Sequence, residues 1–116
     1  MTSHNRPIPR AVSVKLTTTA QTTIFTAIGL NLLETVDRLY AANTTGTAAT
    51  LTVEWTDTSA STTYTLLGTK LVAANDTLMI ELGFRLDAAD IIKCTAGTAN
   101  ALQITLLINE MARSPG

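Results

Sequence analysis

Alternation of apolar and polar residues is the feature that most restricts what this chain can fold into. In ATLTVEWT, from Ala49 to Thr56, the residues Ala49, Leu51, Val53 and Trp55 fall on one side and Thr50, Thr52, Glu54 and Thr56 on the other. A period of two belongs to a strand, because successive side chains point to opposite faces. The same pattern groups Leu78, Ile80 and Leu82 in TLMIEL, and Leu102, Ile104, Leu106 and Ile108 in ALQITLLI. A slip of one residue would turn each apolar set to solvent, so the pattern also fixes register. Weaker runs at SVKLTT, TTIFTA, TVDRLYAA, TTYTLL and DIIKCT bring the count to about eight, separated by the turn-like groups NTTGT, DTSAS, AAND and AGTAN. Short strands at this spacing predict an all-β fold, a single antiparallel β-sandwich or small barrel. Only GLNLLETVDRL, Gly29 to Leu39, has helical spacing, at Leu32, Leu33, Val36 and Leu39. It is short and runs into β-branched and aromatic residues, so it reads as a loop or one helical turn followed by a strand.

A chain of 116 residues fits one domain with a modest core. The division expected is an extended N-terminal arm over residues 1–11, a sandwich over 12–111 and a short tail over 112–116. Pro7 and Pro9 and the lack of alternation set the arm apart, and the first acidic residue of the chain is Glu34. Two internal echoes stand out, TTGTAATLTV against TAGTANALQI and LVAANDTLMI against RLDAADIIKC. They predict equivalent hairpin loops at the two ends of a sandwich.

The chemistry of an enzyme lacks parts, and the chain reads as non-enzymatic. The single histidine, His4, lies in the arm, where it could serve a catalytic triad only if the arm supplied the base. No Cys or His spacing suits a metal, and no glycine loop suits a phosphate. No cofactor is expected. Cys94 is the one cysteine, placed in IIKC where a small hydrophobe would serve. Asp76, Asp87 and Asp90 fall in turns that begin strands and are read as acceptors for backbone N–H groups, with a calcium loop as the sharper alternative. Trp55 lies in register with core residues, whereas Tyr64, after the DTSAS turn, is the better candidate for an exposed ring that could stack on a sugar.

Charged residues make up only 15% of the chain against roughly 25% in typical domains, so part of the surface is expected to be covered by other copies or by a partner. The net charge of −1 argues against nucleic acid and membrane surfaces as partners. No run reaches the roughly 18 apolar residues of a membrane span, and MTSHNRPIPR is not of the signal-peptide kind. The basic residues Arg6 and Arg10 suit an acidic groove on another protein. Met79 and Leu107 lie on the faces opposite their strands' main apolar sets, which makes them candidate interface residues, unless the chain itself covers both faces. With Tyr64 these complete the candidate contact set.

From Val12 to Glu110, the order VKLTTTAQTTIFTA, VDRLYAANTTGTAATLTVEWTDTSASTTYTL, LVAANDTLMIEL, RLDAADIIKCTAG and LQITLLINEMA resembles small all-β bacteriophage virion proteins. Members of that group write the later turns with a Gly-Asp pair where this chain has Asn75-Asp76 and Ala89-Asp90. The resemblance implies a β-sandwich assembled on a virus particle as a head-decoration (cement), neck, tail or fibre-base protein. It implies synthesis in the host bacterial cytoplasm, residence in the virion, contact with the major capsid protein or other virion proteins, and a homo-oligomer, with a trimer as the working number. Decoration of the head is the preferred station, and a carbohydrate-binding receptor module is the alternative from another class.

Overall fold

The computed structural model describes residues 7–29 and 32–112, and contains eight strands: β1 Ile8–Lys15, β2 Thr22–Thr26, β3 Leu32–Asn43, β4 Ala49–Asp57, β5 Thr62–Val72, β6 Thr77–Leu86, β7 Ile91–Ala96 and β8 Leu102–Ala112. They form two antiparallel sheets of four, ordered β1-β8-β3-β6 and β2-β7-β4-β5. Every first-half strand pairs with its mirror in the second half: β1 with β8, β2 with β7, β3 with β6 and β4 with β5. The chain is thus a long strip doubled at the β4–β5 turn. The pairs β3–β8 and β4–β7 then join the strip's layers side by side, which rolls it into a jelly-roll sandwich.

The core comes mainly from the central strands. Val36, Leu39 and Ala41 of β3, Leu51 and Val53 of β4, Ile92 and Cys94 of β7, and Leu102, Ile104, Leu106 and Ile108 of β8 are almost fully buried. Each large aliphatic side chain taken from water contributes roughly 1.5–3 kcal/mol. On β6 the inward residues Leu78, Ile80 and Leu82 do point between the sheets, but they are only half-buried because β6 is an edge strand.

Two expectations change. The stretch at Gly29–Leu39 contains no helical turn among the described residues: β3 is already a strand at Leu32. A register shift between Val36 and Arg38 turns both Asp37 and Arg38 outward, and brings Leu39 to the inner face three residues after Val36. The helical spacing in the sequence is this β-bulge. The expected arm also ends earlier, since Ile8 to Ala11 already pair with Glu110 to Leu107 of β8. Pro9 is tolerated there because β1 is an edge strand.

Loops β1–β2, β3–β4, β5–β6 and β7–β8 share one end of the sandwich, tied by bonds such as Asn43 N–H to Asp76 O at 2.8 Å and Thr44 N–H to Ala101 O at 3.1 Å. Loops β2–β3, β4–β5 and β6–β7 share the other. The first echo therefore marks two loops at one end, β3–β4 and β7–β8, while the second is split between the ends.

Candidate functional site

Buried polar groups come first, since a chain of this composition has few. Asp90 is 1% exposed, and its carboxylate accepts from Trp55 Nε1 at 3.3 Å, Thr58 N–H at 3.1 Å and Asp87 N–H at 3.0 Å. It locks the β4–β5 and β6–β7 turns to one another. Asn43 does the same at the other end: its Nδ2 donates to Thr47 O and Val72 O, and its Oδ1 accepts from the backbone N–H and hydroxyl of Thr45. Glu34, also 1% exposed, accepts from Ile28 N–H at 2.7 Å and Gly29 N–H at 3.0 Å through Oε1, while its buried Oε2 has no partner. All three are spent on holding loops. Asp76 accepts from its neighbour's Thr77 N–H at 2.8 Å, as a turn acid does.

No group of three or more His, Cys, Asp or Glu able to hold a metal ion occurs among the described residues. His4 lies outside them. Cys94 is fully buried, and burial, with the charge of Glu54 adding to it, pushes its thiol up to about 12. That thiol is not a nucleophile at neutral pH, because only the thiolate attacks.

The surfaces remain. Of the contact residues expected from sequence, Arg6 lies outside the described residues. Arg10 sits at the β1/β2 side, where its guanidinium bridges to Glu110 at 3.1 Å and lies 5.9 Å from the centre of the Phe25 ring. Met79, 45% exposed, and Leu107, half-buried, are both on the outer face of the β1-β8-β3-β6 sheet. Among the described residues, nothing of the chain covers that face at Met79. Leu107 there borders a shallow depression with Pro9, Ala11 and Asp37. Nearby, Arg38 is held charged more firmly than usual by a hydrogen bond that it donates to the Tyr40 oxygen and by the carboxylates of Asp37 and Glu81. Tyr64 is on the opposite side, stacked on Trp55 with centroids 5.4 Å apart; Trp55 in turn packs on Phe84 at 5.2 Å. Trp55 is thus the middle of a three-ring stack bridging the two sheets, and Tyr64 is its outer layer.

The four expected contact residues that lie among the described residues, Arg10, Met79, Leu107 and Tyr64, do not converge on one site. Sequence reasoning passed over three exposed hydrophobics, Ile8 at 65%, Ile28 at 51% and Leu71 at 60% exposure. The only signal for Leu71 was its out-of-phase position after the bulges of β5.

No protein-family profile matches the sequence, and no curated protein does. Among solved structures, the chain is similar to a protein of the infectious bursal disease virus particle, with TM-score 0.53, 9% identity and 98% of this chain covered. It spans 37% of that protein's length. It is similar to a protein of Bacillus endospore appendages, which form disulfide-linked pili, with TM-score 0.53, 16% identity and coverage of 98% of this chain and 97% of that one. At these identities the likeness is one of fold.

Proposed function

We propose that this chain is a non-enzymatic bacteriophage virion structural protein that decorates the head and stabilises it through many repeated contacts. The observation that carries the reading is the division of labour among side chains. The buried acids and Asn43 are committed to loops, the only thiol is sealed, and what the molecule offers outward is weakly charged sheet surface bearing Met79, Leu107 and Leu71. Such a surface suits additive packing against a lattice, where modest contacts multiply through repetition. The viral-particle setting of one fold neighbour supports the same class.

Antibody-gold labelling of intact particles tests it. Label distributed over the head is the expected result. Label confined to one vertex or the tail replaces decoration by a neck or fibre-base role, and an unlabelled particle overturns the virion reading.

A second reading has its own support: the endospore-appendage protein matches over its whole length, which favours a subunit of a surface fibre or tail. Were this chain to build a fibre, Cys94 would not link it, being enclosed in the core.

A further inference from the structure

The two lateral sides of the sandwich are built differently. At the β1/β2 side, β2 is only five residues long, Pro9 interrupts the edge of β1, and Arg10 lies across Phe25 with its charge held by Glu110. Short strands, proline and an inward-pointing charge are the devices that keep a sheet edge from recruiting partners. The β5/β6 side lacks the short strand and the proline, and is guarded only by the bulges of β5 and one inward charge. The two edge strands are eleven and ten residues long and contain no proline. The inward positions along this seam are Leu66, Leu67, Leu78, Ile80, Leu82 and Phe84, all packed against the core yet only half-buried, with Tyr64 beside them at 45% exposure. The one inward charge is Lys70, opposite Leu51 near the far end.

We propose that the β5/β6 seam is where a second copy of this chain docks, seam against seam about a two-fold axis. Three observations select that occupant. The edge strands of eleven and ten residues run about 35 Å, and across the 20 Å thickness of the molecule the seam offers on the order of 700 Å2, within the roughly 600–1,000 Å2 per partner of a standard interface. The net charge of −1 lets identical copies approach without appreciable repulsion. The guarded β1/β2 side disfavours a head-to-tail contact, leaving the same patch on both copies as the pairing.

A two-fold axis near Leu67, with β5 antiparallel to its mate, also gives the lone charge a partner. Tyr64 and Lys70 are each three residues from Leu67, so Lys70 of one copy faces the Tyr64 ring of the other, an ammonium over an aromatic face. The bulges of β5 between Leu51 and Glu54 of its partner strand prevent a continuous backbone ladder across the axis. The contact is therefore made by side chains.

The inference rests on the structural-protein reading only for its purpose, and sedimentation of the isolated full chain tests it separately from particle labelling. Between about 1 and about 100 µM, the wild-type protein is expected to reach twice the 12.3 kDa mass of one copy. Lys70→Glu and Tyr64→Ala are expected to weaken association about tenfold or more with an unchanged circular dichroism spectrum, and Met79→Lys, on the outer face, to leave it intact. A single-copy mass throughout overturns the proposal whatever the variants do. So does an oligomer of another size, or one that Met79→Lys disrupts and the seam variants do not. A dimer from a chain that labels no particle would keep the interface and discard the virion role.

Discussion

Ala89 holds a backbone conformation that suits a different residue. Its φ is +68°, in the left-handed region, and Asn75, at the equivalent place in the echoed turn, has +55°. An L-residue with a Cβ pays about 1–2 kcal/mol there. Ala89 cannot relax, since its N–H donates to Ala27 O at 2.9 Å and its carbonyl accepts from the Thr58 hydroxyl at 2.7 Å. Its methyl is exposed, so removing it loses no packing. Ala89→Gly should therefore relieve the strain, less the about 0.4–1 kcal/mol by which glycine widens the unfolded ensemble. The net expectation is a gain of roughly 0.5–1 kcal/mol, or roughly 2–4 °C in Tm for a chain of this size. Paired urea and thermal melts would measure it against Ala99→Gly, an exposed loop alanine without positive φ, which should lose stability. If both substitutions destabilise alike, the strain argument is wrong.

Other outcomes follow from the buried polar groups and the termini. Asp90→Ala should cost roughly 3–5 kcal/mol by urea titration, because three donors, including the Trp55 indole N–H, lose their acceptor. Glu34→Gln keeps an acceptor for Ile28 and Gly29 while removing a buried charge with an unpaired oxygen, so it should stay within about 1 kcal/mol of wild type where Glu34→Ala loses at least about 2. Cys94, raised by burial from 9.0 to about 12, holds its proton in the folded state while the unfolded thiol loses it. Its contribution is complete below pH 9 and fades as pH rises towards about 12, so wild type should lose stability relative to Cys94→Val over that window. Removing residues 1–6 should weaken attachment to particles; unaltered particle binding would remove the arm from the proposed contacts.

What the sequence made legible was the part where burial is one-sided and unbroken. The alternation in β4 and β8 reads directly because both are central strands whose inner residues are enclosed and whose outer ones are not. β3 is equally central, but its bulge at Asp37 and Arg38 changes phase halfway and imitates a helix. The first half of β1, Ile8 to Ala11, escaped because its pairing is set by β8, nearly a hundred residues away in sequence. Nothing in the alternation singled out Glu34, and Asn43 read only as the start of the turn-like NTTGT; their burial follows from where the loops close over them. The contact residues were least legible, since Met79, Leu107 and Tyr64 share an apolar character but lie on different surfaces that only the roll of the strip assigns.

That doubled strip also orders the making of the molecule in time. β4 and β5 can pair as soon as the turn between them is synthesised, but β1 lies beside β8 alone, and β8 sits between β1 and β3 in its sheet. The first strand synthesised therefore waits, unpaired, for the last. Until Leu102–Ala112 arrives, one sheet lacks an interior strand and the inner faces of the other stand open. Closure from the hairpin outwards is governed by long-range pairings, which are slow to form and leave apolar strands exposed meanwhile. A ribosome stalled near the end of this chain would hold not a nearly finished domain but an unclosed one.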